Sequence, residues 1–276
     1  MIIKQKPKAD LKIVVKGRSV SYNDKGKGKM PIIFLHGFPF DKSTWQPQMD
    51  ALAVTHRVIA FDIRGFGKSE AGAEKPNIRL FADDLVQFMD AMEIQKAIVC
   101  GLSMGGYILL NAVFRYANRF EAIVLCDTQC ITDSPEAKEK RKQTIKQIKE
   151  NGIKNFAQAF TKSVFCQETR DKNKELVENT HNIVLANSFD AITETLGALT
   201  RRKEMCSTLN LITVPVLILC GKEDIITVPA QSELLHRSIE QSKLYFIKKA
   251  GHLSNLEQPE EFNKHLLKFI SGISRS

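Results

Sequence analysis

Ser103 lies in the stretch 101–106, which reads GLSMGG and places glycine two positions before and two positions after the serine. The apolar run 97–100 precedes this stretch, and a helical pattern from 107 to 116 follows it. A serine at a sharp strand-to-helix turn has a strained backbone, and side chains at positions 101 and 105 would collide there. The pattern predicts a nucleophilic serine at the N-terminus of a helix, where negative charge is favoured.

A serine hydroxyl is a weak nucleophile until a base removes its proton and a carboxylate orients that base. Asp224 follows the apolar run 216–220, and His252 follows the run 244–247. Both would lie at the carboxyl ends of strands, in the chain order serine, aspartate, histidine that is known for one group of triads. We predict that Ser103, Asp224 and His252 form a catalytic triad. Asp127, which follows the run 122–126, is the alternative acid.

Attack on a carbonyl also needs two N–H donors for the charge that develops on its oxygen. One donor is predicted to be the amide of Met104, directly after the serine. The other should come from the loop after the run 32–35, which reads HGFPF. Pro39 has no N–H, so we predict the amide of Phe38. His36 precedes this donor and is expected to brace the loop.

Six short apolar runs must position these residues: 32–35, 58–61, 97–100, 122–126, 216–220 and 244–247. Uninterrupted apolar runs are typical of parallel strands that are buried on both faces. Residues 11–23 favour an antiparallel hairpin at the edge of the sheet, and the spacing of Phe81, Leu85, Phe88 and Met92 favours an amphipathic helix. The sequence predicts an α/β fold with a mostly parallel central sheet of about eight strands and helices on both faces.

The alternation of strands and helices stops between residues 132 and 211, where the apolar spacing becomes helical. Ser134 and Pro135 have the residue types of an N-cap and a first helical position. About 80 residues is too long for an ordinary connection. We therefore predict a core of residues 1–131 and 212–276, with a helical cap of residues 132–211 inserted after the sixth strand.

The composition excludes collagen-like, disulfide-scaffold and disordered proteins, since 43% of the 276 residues are hydrophobic and 26% are charged. The net charge of +9 is dispersed, apart from basic patches at 4–8 and 138–149, and no nucleic-acid motif accompanies it. We expect neither nucleic acid nor a membrane as a partner.

None of the six cysteines forms a CxxC pair or a metal-like cluster with histidine, and three of them end apolar runs as small buried residues would. This pattern indicates a reducing compartment. The N-terminus has no apolar segment of the signal-peptide type. Both observations predict a cytoplasmic protein.

Four stretches together resemble the α/β-hydrolase family: FLHGFP at 34–39, FDIRGFGKS at 61–69, GLSMGG at 101–106 and AGH at 250–252. The resemblance extends from about residue 30 to the C-terminus. Within the family the chain is most similar to small esterases, cofactor-free haloperoxidases and 3-oxoadipate enol-lactonases, which carry a helical cap where 132–211 lies. Asp62 and Arg64 fall in a motif that is mainly structural in the family.

The resemblance implies a serine hydrolase that cleaves a small or medium carboxylic ester or lactone through an acyl-serine, without metal or organic cofactor, as a monomer or homodimer. Pro39 resembles a proline of the haloperoxidases and implies perhydrolysis as a side activity. An apolar substrate pocket is expected beside the serine, and its candidate residues are Pro39, Phe40, Trp45, Phe160, Phe165 and Ile225.

Two other functions are compatible with the same motifs. One is a ligand-binding signalling protein that keeps the triad with vestigial turnover. The other is a hydrolase that cleaves a carbon–carbon bond of a dienol ketone. Turnover of simple esters distinguishes both from an esterase.

Overall fold

The computed structural model describes residues 8–273, and eight strands of that range form one sheet. The N-terminal residues that were examined for a signal peptide, and the basic patch 4–8 except for Lys8, lie outside the described residues. The strands are β1 Lys8–Val15, β2 Arg18–Lys25, β3 Ile32–Leu35, β4 Val58–Phe61, β5 Ala97–Leu102, β6 Phe120–Cys126, β7 Val216–Gly221 and β8 Ser242–Ile247.

The strand order across the sheet is β1-β2-β4-β3-β5-β6-β7-β8. β1 pairs antiparallel with β2, and β2 pairs antiparallel with β4, whereas the pairs from β4 to β8 are parallel. The hairpin is therefore at the edge of the sheet, as predicted. The α/β fold with a mostly parallel sheet is confirmed.

Helices cover both faces of the sheet. Side chains of β3 alternate between two apolar cores: Ile33 and Leu35 join the core with α2 and α3, and Ile32 and Phe34 join the core with α1 and α11. This two-sided burial explains the continuous apolar runs. The helices are α1 Gln46–Leu52, α2 Ile78–Ala91, α3 Met104–Arg115, α4 Pro135–Asn151, α5 Lys154–Val164, α6 Gln167–Lys172, α7 Lys174–Ala186, α8 Phe189–Thr200, α9 Pro229–Ser238, α10 Ser254–Glu257 and α11 Pro259–Ile273.

The segment between β6 and β7 contains the helices α4 to α8 and no strand among its described residues. Ser134 caps α4 by accepting a hydrogen bond from the amide of Ala137, and Pro135 is the first helical residue. Ile148 is the one residue of α4 that is buried, so the basic patch 138–149 is solvated. None of the helices within 8–273 has the length and apolarity needed to cross a bilayer.

Cys130 and Cys206 form a disulfide, with 4.9 Å between their Cα atoms and a separation of 76 residues in sequence. This disulfide does not agree with the reducing compartment that the cysteine pattern indicates, because disulfides persist mainly in oxidising environments. The amide of Met205 donates to the carbonyl of Cys130 at 2.9 Å, which brings the two ends of the helical segment together. The spacing in sequence could not show this contact. Cys100, Cys126, Cys166 and Cys220 are free and buried.

Asp62 and Arg64 hold loops together, as the family motif implies. The fully buried Asp62 accepts hydrogen bonds from the backbone amides of Lys42 and Lys68 and pairs with the Lys42 ammonium at 2.7 Å. Arg64 donates to both carboxylate oxygens of Asp84, each at 2.7 Å. These contacts fix the chain that leaves the end of β4.

Candidate active site

The side chains of Ser103, His252 and Asp224 form one hydrogen-bonded row. His252 Nε2 lies 2.8 Å from Ser103 Oγ, and His252 Nδ1 lies 2.8 Å from Asp224 Oδ2. A carboxylate can only accept, so Nδ1 carries the proton and Nε2 presents a lone pair to the serine hydroxyl. The structure thus brings the three predicted residues together in the arrangement that general-base activation of a serine requires.

Ser103 has a strained backbone at the turn between β5 and α3, with φ of 50° and ψ of −111°. Its amide donates to Cys126 O at 2.9 Å, and its carbonyl accepts from Thr128 Oγ1 at 2.8 Å. The backbone is therefore fixed on both sides while the hydroxyl points to the imidazole. A Cβ atom at Gly101 would collide with the backbone of Gly105, which explains the glycine there.

Asp224 lies in the loop after β7, and the chain that follows it satisfies its carboxylate. Oδ1 accepts from the amides of Ile226 and Thr227, at 2.8 and 3.1 Å. Oδ2 accepts from Thr227 Oγ1 at 2.7 Å as well as from His252. These contacts leave the carboxylate ionised and aimed at the imidazole, which lies within 3.3 Å of the Thr227 hydroxyl.

The two ionisable partners shift each other's pKa in opposite directions. Burial lowers the pKa of His252, but the charge of Asp224 and their hydrogen bond outweigh this effect and hold that pKa above its ordinary value. Burial raises the pKa of Asp224, but the charge of His252 and the hydrogen bonds from His252 and Thr227 hold it below its ordinary value. The pair therefore favours a carboxylate that stabilises a protonated imidazole.

Asp127, the alternative acid, does not contact the imidazole through its hydrogen bonds. One of its oxygens accepts from Gly221 N at 2.7 Å, and the other accepts from Ser254 Oγ at 2.5 Å. Burial, followed by the neighbouring charge of Asp224, raises the pKa of Asp127 well above its ordinary value. The geometry thus favours Asp224 over Asp127 as the acid.

Asp127, Asp224 and Cys220 have potential ligand atoms within 4.8 Å of one another. The Asp224 oxygens already accept hydrogen bonds from four donors. Burial raises the pKa of the Cys220 thiol, which disfavours the thiolate that binds metals. The chemistry of this donor set does not suit a cation.

The amides of Phe38 and Met104 are the predicted donors to an oxyanion. Met104 begins α3 directly after Ser103, where helix amides have no intrahelical acceptor. Within residues 8–273, neither amide donates a hydrogen bond to another protein group. A Cβ atom at Gly37 would lie 3.2 Å from Ser103 Cβ, so the two loops approach closely at the serine. Both donors therefore remain available beside the nucleophile.

His36 braces this loop, as predicted. Its Nε2 accepts from the amide of Ile63 at 2.9 Å, so Nδ1 is the protonated nitrogen and donates to Gly37 O at 2.9 Å. Burial lowers the pKa of His36 and favours the neutral ring. The peptide bond between Phe38 and Pro39 is cis.

Aromatic rings from the helical segment pack against the loop of Phe38. Phe160 lies 6.1 Å from Phe38 and 5.9 Å from Phe40 between ring centroids, and Phe156 stacks on Phe160 at 5.5 Å. The carbonyl of the buried Pro39 accepts from Asn187 Nδ2 at 2.9 Å. Phe156 and Asn187 were not among the predicted site residues, although the helical spacing that includes Phe156 was a usable signal.

Four other candidates do not fit a pocket lining. Trp45 has no exposed surface and packs between Phe34 and Phe262, at 4.8 and 6.1 Å between ring centroids. Phe40 and Phe165 belong to the same buried core as Trp45. Phe40 packs against Phe160 from within that core. Ile225 is 69% exposed and is not enclosed with the phenylalanines. Phe40, Trp45 and Phe165 thus serve mainly to pack the core.

Sequence reasoning missed the contacts that hold the His252 loop to the helical segment. The amide of His252 donates to Val164 O at 2.8 Å. The Glu257 carboxylate accepts from Gly251 N at 2.6 Å and from Cys166 N at 2.9 Å. No sequence motif marks Glu257, because its two partners are backbone groups far apart in the chain.

Comparisons with known proteins match this architecture over nearly the whole chain. A family model described as the alpha/beta hydrolase fold matches residues 30–187. The 3-oxoadipate enol-lactonase 1 of Acinetobacter baylyi is 28% identical over 93% of this chain and 95% of its own length. Among solved structures, a thermophilic esterase from Thermogutta terrifontis is 30% identical, with a TM-score of 0.90, over 95% of this chain and 98% of that one. An enol-lactonase from Burkholderia xenovorans is 26% identical, with a TM-score of 0.88, over 95% of this chain and 100% of that one.

Proposed function

Because the chain belongs to the family of α/β hydrolases, we propose that it cleaves a small or medium carboxylic ester or lactone through an acyl-serine intermediate. The observation that carries this proposal is the row of two 2.8 Å contacts from Ser103 through His252 to Asp224. The likeness to a named esterase and to two named enol-lactonases supports the choice of esters and lactones.

In the first half of the reaction, Ser103 Oγ attacks the carbonyl carbon while His252 Nε2 takes the hydroxyl proton. Asp224 stabilises the resulting imidazolium, in keeping with the raised pKa of His252. The amides of Phe38 and Met104 donate to the oxyanion, and removing one such donor commonly costs about 3 kcal/mol of transition-state stabilisation. His252 then protonates the leaving alkoxide as the carbon–oxygen bond breaks.

In the second half, His252 removes a proton from water as the water attacks the acyl-serine. The second tetrahedral intermediate collapses to release the acid, and His252 returns the proton to Ser103 Oγ. Each proton taken by the imidazole is given back within the cycle, so these residues need neither a metal nor an organic cofactor. Hydrogen peroxide in place of water would give a peracid, and the likeness of Pro39 to the haloperoxidase proline supports this side activity.

We propose that residues 132–211 act as a cap over this chemistry. Phe160 reaches the loop of Phe38 from α5, and Val164 at the end of α5 holds the His252 loop. The aromatic rings favour a small or medium apolar acyl group over a charged one. Substrate choice is thus assigned to α5 and to the loop after β3.

A monomer or homodimer with no nucleic-acid or membrane partner remains the prediction. Cytoplasmic location also remains a prediction, but the cysteines no longer support it. The disulfide between Cys130 and Cys206 is of a kind that persists mainly in oxidising compartments.

The test is hydrolysis of a panel of p-nitrophenyl esters, lactones and thioesters by purified wild-type protein and by Ser103→Ala. We expect turnover of short-chain esters or lactones by the wild type and a loss of about 10⁴-fold or more in the variant, with an unchanged circular dichroism spectrum. Retained turnover in Ser103→Ala would overturn the mechanism. A tightly bound ligand with negligible turnover would favour the signalling alternative, and cleavage of a dienol ketone faster than of any ester would favour the carbon–carbon hydrolase.

A further inference from the structure

A cavity of about 430 Å³ lies beside α3, and its lining includes none of the triad residues. Its walls are the first turn of α2, the outer face of α3, the loop after β6 and the segment that follows α8. None of the triad or oxyanion residues lines it. The volume is within the range of small-molecule sites in proteins.

The cavity is strongly cationic. Among the described residues that line it, five are basic and one is acidic; the basic ones are Arg79, Arg115, Arg201, Arg202 and Lys203. The acidic residue is Glu204. Its carboxylate accepts hydrogen bonds within its own loop, from Cys206 N at 2.7 Å and from Ser207 Oγ at 2.8 Å. The excess positive charge therefore has no anion within the lining to neutralise it.

Three of these cations have no carboxylate partner among the described residues, although Arg201 Nη2 donates to the carbonyl of Pro76 at 3.4 Å. Arg79, Arg201 and Lys203 are exposed, and none of them forms an ion pair with a carboxylate in the described part of the chain. Arg115, in contrast, pairs with Asp83 at 2.6 Å. The unpaired charges come from α2 and from the chain after α8, so they approach the cavity from two sides.

Arg202 gives the site a rigid, buried part. Its guanidinium pairs with Asp133 at 2.9 Å and lies over the ring of Tyr107, 4.6 Å from the centroid. Its Nε is buried and has no acceptor. Tyr107 also lines the cavity, and no described group bonds to its hydroxyl. Arg202 Nε and the Tyr107 hydroxyl are thus two donors without a described protein acceptor beside the cations that have no carboxylate partner.

The rest of the lining is apolar and would hold a hydrocarbon body. Ile78, Leu110 and Ala198 are buried side chains of this lining, and Phe114 is half exposed at the cavity. Met205 and the disulfide residue Cys130 complete the apolar part. A free inorganic anion would leave this surface uncovered, whereas an uncharged ligand would leave the cations unpaired.

We propose that this cavity is a second binding site for an organic anion, namely an aromatic or aliphatic body that carries one carboxylate or phosphate group. The cations and the Tyr107 hydroxyl bind the head group, and the apolar lining holds the body. The site is independent of the proposed hydrolysis, because it shares no residue with the triad.

The experiment is calorimetric titration with 4-phenylbutyrate, with phenyl phosphate and with the neutral 4-phenylbutyramide, before and after covalent blocking of Ser103 by a fluorophosphonate. The test variant is Arg79→Gln/Arg201→Gln/Lys203→Gln. Its matched control is Lys222→Gln/Lys243→Gln/Lys248→Gln, which removes three exposed charges elsewhere. Comparison of the two anions decides which head group the site prefers.

We expect one anion to bind with 1:1 stoichiometry, about tenfold or more weakly in the test variant and unchanged in the control and in the blocked protein. The amide should not bind. Binding that disappears when Ser103 is blocked would assign the ligand to the active site and overturn the proposal. Equal affinity in the test variant, tight binding of the amide, or no binding of either anion up to millimolar concentration would also overturn it.

Discussion

At the scale of single residues, two buried aspartates lie side by side, and their surroundings assign them different protonation. Asp224 accepts four hydrogen bonds, one of them from His252. Asp127 accepts from Gly221 N and Ser254 Oγ, and burial raises its pKa. The carboxyl group of Asp224 is thus kept charged beside the imidazole, whereas that of Asp127 is biased toward the neutral form.

Replacing each aspartate by asparagine separates these roles. Asp224→Asn should lower kcat by about 10⁴-fold, because the amide no longer fixes the imidazole tautomer or stabilises its cation. Asp127→Asn should change kcat by less than about tenfold, since an asparagine can still accept from Gly221 N and can donate to Ser254 Oγ. Steady-state kinetics with an ester substrate measure both. Equal losses in the two variants would contradict the assignment of Asp224.

The pH dependence of kcat/KM tests the same assignment of Asp224. His252 must be neutral to accept the proton, so kcat/KM should fall as pH drops through the His252 pKa, which the Asp224 charge holds above its ordinary value. Asp224→Asn removes that charge and should move the acid limb to lower pH. Asp127→Asn should move the limb less, because the charge of Asp127 contributes less than that of Asp224 to the raised pKa of His252. An unshifted limb in Asp224→Asn would show that another group controls the titration.

At the scale of elements, the His252 loop is clamped between α5 and α10 rather than held by β8 alone. Val164 O, at the end of α5, accepts from His252 N. Glu257, at the end of α10, accepts from Gly251 N and from Cys166 N. The position of the base therefore depends on the proposed cap as well as on the sheet.

Glu257→Gln tests this clamp. A glutamine side chain has one carbonyl acceptor, and its NH₂ group would oppose a backbone N–H, so the His252 loop should shift. We expect kcat to fall about 10- to 100-fold, with the rate of fluorophosphonate labelling of Ser103 falling in parallel. Glu260→Gln, an exposed site in α11, is the matched control. If Glu257→Gln lowers the melting temperature but leaves the labelling rate of Ser103 unchanged, Glu257 stabilises the fold and does not position His252.

The sequence was sufficient for the elements whose signal is local. The apolar runs located the parallel strands, and the glycines around Ser103 located the turn. The pocket lining is harder to predict. Trp45 closely follows the loop after β3 and Ile225 directly follows the acid Asp224, yet Trp45 is in the core and Ile225 is in solvent. The contact of Glu257 with Cys166 N joins a side chain to a backbone amide 91 residues away. Residue type alone cannot predict such a contact.

At the scale of the whole molecule, the Cys130–Cys206 disulfide closes the two ends of the helical segment onto each other. Cross-linking residues 76 apart restricts the unfolded chain, and the loop-entropy relation gives an upper stabilisation of about 4.5 kcal/mol. Cys130 also lines the cationic cavity beside α3. The proposed cap is thus covalently fastened at its base.

Removing the disulfide should destabilise the protein as a whole. We expect Cys130→Ser/Cys206→Ser to lower the free energy of unfolding in urea by about 2 to 4 kcal/mol. Dithiothreitol should lower the stability of the wild type to the same extent and should have no further effect on the double variant. Cys166→Ser, which removes a buried free thiol, is the control and should keep its response to the reductant. A wild type that is insensitive to dithiothreitol would contradict the contribution of the bond.

The most direct test of the acyl-serine mechanism is the site of covalent modification. The intact protein is treated with a fluorophosphonate, residual ester hydrolysis is measured at intervals, and the modified peptide is sequenced by mass spectrometry. We expect one adduct per chain, located on Ser103, with activity lost in proportion to labelling and with slow labelling in Asp224→Asn. An adduct on another residue, or full hydrolytic activity in protein that is completely labelled at Ser103, would contradict this mechanism.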